Sequence, residues 1–93
     1  MNMKKSIRLK VIGSIQGIFY RGFVKEHADK HNVKGYVRNL DDGNFEIFIE
    51  GDENNVDSMI SLCKRGPQHS QIRSVSEKEE AFQDFKEFTV LKI

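Results

Sequence analysis

Twice along these 93 residues an apolar period of two gives way to a helical period and then returns, and that rhythm limits the fold more than any other feature. Residues 6–12 place Ile7, Leu9 and Val11 on one face and Arg8 and Lys10 on the other, the pattern of a half-buried strand. Over 22–31, Phe23, Val24, His27, Ala28 and His31 recur at spacings of three and four, which predicts a helix, with Asn32 as a left-handed stop. Residues 34–40 and 45–50 read as strands joined by Asp41-Asp42-Gly43-Asn44, where Asp-Gly signals a hairpin. In the second of these, Phe45, Ile47 and Ile49 face one way, Glu46 and Glu50 the other. Asp52 is placed to cap a second helix whose stripe is Val56, Met59, Ile60 and Cys63. Lys64 and Arg65 suit its C-terminal dipole, and Gly66-Pro67 ends it. Residues 72–77 and 85–93 complete the series as strands, the last carrying Phe88 and Val90 inward.

The order β-α-β-β-α-β with a further strand predicts an α+β fold. It is the ferredoxin-like sandwich: a mainly antiparallel sheet of four to five strands with two helices on one face. The length predicts a single domain over 1–93. Cys63 is the only cysteine, so no intrachain disulfide can form. No apolar run approaches 18 residues, and Arg8 and Lys10 interrupt any signal-like start, which predicts a cytoplasmic protein with no membrane partner.

Charge adds a second constraint. The net charge is only +1, which by itself predicts no nucleic-acid partner. Residues 1–40 nevertheless carry nine basic and two acidic side chains, a net +7, while 41–93 carry six basic and twelve acidic, a net −6. Either an anion site draws on the first 40 residues, or the fold mixes the two halves and cancels the field.

The stretch 13–21, between the first strand and the first helix, is the leading place for such a site. Backbone N–H groups of a tight loop can converge on an anion, with a helix N-terminus behind them. Gly17 allows close backbone approach, and Arg21 offers a planar fork matched to a phosphoryl group. An ordinary strand-to-helix connection with a surface arginine would read the same way. Other phosphate chemistries are excluded: there is no Walker-type G-x-x-x-x-G-K followed by Ser or Thr, and no G-x-G-x-x-G. A cysteine-nucleophile phosphatase needs an arginine six residues after its cysteine, where this chain has His69. Asn39, at the end of the second strand, is the second candidate. Its carboxamide can accept a hydrogen bond from water while donating to a phosphoryl oxygen, which orients the water without deprotonating it, or it can serve turn chemistry alone.

Residues 11–21, Val-Ile-Gly-Ser-Ile-Gln-Gly-Ile-Phe-Tyr-Arg, resemble the first acylphosphatase signature. Gly35-Tyr36-Val37-Arg38-Asn39 with Gly43 and Gly51 resembles the second, at the same spacing. The resemblance implies hydrolysis of acyl phosphates to a carboxylate and phosphate, with no metal, cofactor or covalent intermediate. It implies that Ile15, Gln16, Gly17, Ile18, Phe19 and Tyr20 bind the substrate through backbone N–H groups, that Arg21 binds the phosphoryl group, and that Asn39 positions the attacking water. The departures are Ile15 and Ile18 for Val, Tyr20 for Phe, and Phe45 for Val. Tyr20 adds a hydroxyl that must find a partner, and Phe45 alters packing beneath the hairpin.

Other features read as structural. His27, His31 and His69 lack a converging carboxylate and predict no metal site. Glu77, Glu79 and Glu80 read as a solvated turn, and Cys63 as a core thiol. Arg21-Gly22-Phe23-Val24 and Lys34-Gly35-Tyr36-Val37 echo part of an RNA-recognition motif on the wrong elements. The expected partner is a small acyl phosphate and the expected state a monomer. A non-catalytic phosphate or carbamoyl-phosphate binding module is the alternative, with an RNA or protein interaction module behind it.

Overall fold

The computed structural model describes residues 3–14, 17–67 and 71–91. Seven elements follow in order: β1 (Lys4–Ser14), α1 (Gly17–Lys30), β2 (Lys34–Asn39), β3 (Phe45–Asp52), α2 (Glu53–Arg65), β4 (Gln71–Glu79) and β5 (Phe88–Val90). One five-stranded sheet has the order β4-β1-β3-β2-β5, antiparallel throughout except for the parallel β2–β5 pair. Both helices pack on the same face, where Tyr20, Val24 and Ala28 of α1 and Val56, Met59, Ile60 and Cys63 of α2 meet the inward side chains of the sheet. This is the expected ferredoxin-like α+β arrangement.

The predicted helix of 22–31 begins five residues earlier, at Gly17. Two glycines within six residues are poor helix formers, so the local signal read as loop. Burial of Tyr20, four residues before Val24, extends the buried stripe back one turn and outweighs that local cost. Asn32 ends α1 with φ 55°, as expected. Asp52 holds the N-cap position of α2 but makes no side-chain cap hydrogen bond; its carboxylate pairs with Lys4 at 3.0 Å.

Two further corrections concern the C-terminal third. The expected strand of 85–93 narrows to Phe88–Val90 within the described residues. Glu77 and Glu79 lie in β4 rather than a turn, and Glu80 pairs with Arg8 at 2.9 Å. A register shift at Ile12/Gly13 adds one residue to β4, so Ile72 and Val75, three apart, both pack on the core.

The face away from the helices is covered too. Phe48 is fully buried there, stacked on Tyr36 and flanked by Phe85, with the Arg8 guanidinium over its ring. Glu50 points to this face as predicted, yet it is buried rather than solvated. Its carboxylate accepts from Ser6 Oγ at 3.0 Å and from the backbone N–H groups of Gln83 and Phe85 at 2.8 and 2.7 Å. Those N–H groups bond a side chain instead of a strand as residues 81–86 cross the sheet, and the chain rejoins it where the Glu87 carbonyl accepts from the Gly35 N–H. Among the described residues no helix is long and apolar enough to cross a membrane.

Candidate active site

Asn39 is the last residue of β2 and faces the helix side with Val37, two residues back. Directly opposite it in the ladder stands Phe45 of β3. Arg21 lies one helical turn after Gly17, so both look out on the same side of α1. The sheet and the first turn of α1 therefore bring together two residues 18 positions apart: Arg21 Nη1 donates to Asn39 Oδ1. A guanidinium has no acceptor, so this bond sets the orientation of the carboxamide and leaves Oδ1 one free lone pair.

Gly17 completes the cluster. A Cβ there would lie 3.3 Å from Arg21 Nη1, 3.4 Å from Asn39 Nδ2 and 3.6 Å from Phe45 Cζ. The bare backbone of the helix start thus abuts both polar groups, with Phe45 closing the apolar side. The N–H groups of a first helical turn have no intrahelical partner and carry the positive end of the dipole. The anion-binding backbone expected from a loop is, over Gly17–Tyr20, the first turn of α1.

The electrostatics single out Arg21. Lys4, Lys5, Arg8, Lys10, Lys25, Lys30 and Arg38, seven of the nine basic residues among the first 40, each meet a carboxylate. Among the described residues no carboxylate pairs with Arg21; its partner is a neutral amide. Five of those pairs, from Lys4, Lys5, Arg8, Lys10 and Arg38, reach carboxylates beyond residue 40 and so offset most of the +7, and the site keeps one unneutralised guanidinium rather than a broad basic field.

The two aromatic departures pack on each other beneath this cluster. Tyr20 and Phe45 rings lie 4.8 Å apart at 55°. The Tyr20 hydroxyl donates to the Cys63 carbonyl at 3.0 Å. That carbonyl lies in the last turn of α2, and the residue four positions on is Pro67, which has no N–H to give. Burial pushes the Tyr20 phenol well above its ordinary range, so the hydroxyl stays neutral. Burial likewise pushes the Cys63 thiol up to about 12, which keeps it an inert core group.

Of the predicted site residues, Arg21, Asn39 and Gly17 come together. Ile18 and Phe19 project into solvent, and the Tyr20 side chain is fully buried, so only its backbone can face an anion. Ile15 and Gln16 lie outside the described residues. Phe45 is the site neighbour that sequence reasoning did not place; its register opposite Asn39 across the predicted hairpin was the available signal. His27 lies in the last turn of α1 and His31 just past its end, with His31 Nδ1 2.8 Å from the His27 carbonyl; His69 lies outside the described residues, and no group of three metal-ligating side chains occurs among those described.

Comparison with known proteins agrees with this fold. The acylphosphatase family model matches residues 7–90. The chain is 36% identical to an acylphosphatase of Methylococcus capsulatus, covering 95% of this chain and 97% of the relative. It is 41% identical to one from Caldivirga maquilingensis at the same coverage. The crystal structure of acylphosphatase from Bacillus subtilis superposes with a TM-score of 0.88 at 34% identity, over 96% of this chain and 99% of that one.

Proposed function

The chain belongs to the acylphosphatase family, hydrolases of acyl phosphates, and from that premise we propose that Arg21, Asn39 and the start of α1 carry out the reaction here. The phosphoryl group sits against the backbone N–H groups of residues 15–20 and the Arg21 fork. Asn39 Oδ1 accepts a hydrogen bond from a water molecule through its remaining lone pair and aims the water oxygen at phosphorus, without deprotonating it. The water oxygen–phosphorus bond forms as the bond from phosphorus to the acyl oxygen breaks. The carboxylate leaves with the bonding pair, and the proton released by the water passes to phosphate or solvent. A carboxylate is a good leaving group, so positioning and charge stabilisation can supply most of the acceleration. The same reading takes 1–93 as one acylphosphatase-like domain acting on a small molecule.

The single observation behind this assignment is the Arg21–Asn39 bond formed against the bare backbone of Gly17. The test follows benzoyl phosphate loss in EDTA with wild type and Arg21→Ala. Turnover by wild type that falls about a hundredfold or more in the variant supports the assignment. Equal rates would remove Arg21 from the chemistry, and turnover abolished by EDTA would replace the metal-free route.

A further inference from the structure

An acyl group bonded through oxygen to a phosphoryl group held at Arg21 is tethered, and must leave the site across its rim. On that rim the helix presents an apolar side chain to water: Ile18, in the first turn of α1, is 72% exposed. At about 100° per residue, Ile18 lies between Arg21 and Gly22 around the helix, with its Cβ about 5–6 Å from that of Arg21. Beside it is open space, since nothing lies within 4 Å of the point where a Gly22 side chain would begin. Phe19 is as exposed, at 68%, but is turned most of the way round the helix from Arg21. A lone exposed isoleucine carries no message; one beside the exit path of a tethered substrate does.

We infer that Ile18 sets specificity for the acyl end, its side chain lying along the acyl chain and favouring apolar groups of several carbons over acetyl. The inference rests on the hydrolase assignment above and names the substrate class of the same site. The contact lies beyond the bond that breaks, so it is made equally in the ground and transition states. It therefore acts on KM and leaves kcat nearly level along a series of acyl chains.

Acetyl, butyryl and hexanoyl phosphate provide the test, because their parent acids are of similar acidity and the leaving group stays constant. With wild type, KM is expected to fall about three- to tenfold along the series while kcat changes little. Ile18→Ser should flatten that trend and Ile18→Phe should steepen it, with circular dichroism checking that both fold. Phe82, exposed on the segment that crosses the opposite face, is the control, and Phe82→Ser should leave the trend as in wild type. A trend unchanged in both Ile18 variants, or altered as much by Phe82→Ser, overturns the inference while the hydrolase assignment stands. Absence of wild-type turnover on all three substrates overturns the assignment itself, and the inference with it.

Discussion

Arg21 and Asn39 divide the proposed work between charge and geometry, and substitutions separate the two. Arg21→Lys keeps the charge but loses the planar fork, so kcat is expected to fall about a hundredfold or more in steady-state assays with an acyl phosphate. Asn39→Ala should lower kcat while leaving KM within about twofold, because its proposed partner is the water rather than the substrate. Gly17 offers a prediction with opposite signs. Alanine is the better helix former, by about 0.5–1 kcal/mol. Its Cβ, however, would stand 3.3 Å from Arg21 Nη1 and 3.4 Å from Asn39 Nδ2. Gly17→Ala should therefore hold or raise the urea midpoint while kcat/KM drops tenfold or more. These three residues were legible in the sequence because their chemical types and spacing carry the signal. Phe45 was not, because its place beside Gly17 depends on how the hairpin meets the helix.

At the scale of elements, the start of α1 matters most, since it turns a glycine-bearing connection into a helix N-terminus aimed at the site. Local propensity hides that start; the four-residue step from Tyr20 to Val24 and Ala28 reveals it only once Tyr20 is known to be buried. Tyr20 also ties α1 to α2 by serving the Cys63 carbonyl that Pro67 cannot. Tyr20→Phe leaves that carbonyl unpaired in the interior, and urea denaturation should show a loss of about 1–2 kcal/mol. On the far side of the sheet, Glu46 accepts from Arg38 Nε at 2.8 Å and from the Tyr36 hydroxyl at 3.0 Å. Burial pushes its carboxyl up, but those bonds and the charges of Arg38 and Arg8 together hold it below the ordinary carboxylate range. A lowered folded pKa means the stabilisation is present above the unfolded value and is lost as pH falls through the folded one. Urea midpoints from pH 7 down to 3 should fall more steeply for wild type than for Glu46→Gln.

At the scale of the whole molecule, both faces of the sheet are covered by different means. The helices cover one with aliphatic and aromatic side chains. Residues 81–87 cover the other, held by Glu50 through Ser6, Gln83 and Phe85. Removing that carboxylate orphans three buried or half-buried donors. Glu50→Ala should cost about 2–4 kcal/mol, with faster hydrogen exchange at the Gln83 and Phe85 amides than at the amides of β3. Charge behaves as a whole-molecule property in the same way. The +7 and −6 halves interleave into discrete ion pairs, and the anion site rests on Arg21, the cation that meets an amide.

Periodicity alone determined the order of strands and helices, because the alternation of apolar residues records which face of each element is buried. It also marked the turn at 41–44 and the stops at Asn32 and Gly66, where backbone shape depends on one or two residues. Tertiary structure decided where α1 begins, how short β5 is, and that Glu50 is buried. In each case a distant partner supplied the energy: the core around Tyr20, or the N–H groups that Glu50 draws from the crossing segment. Such contacts join residues far apart in the chain, 43 positions in the case of Tyr20 and Cys63, and no local pattern encodes them.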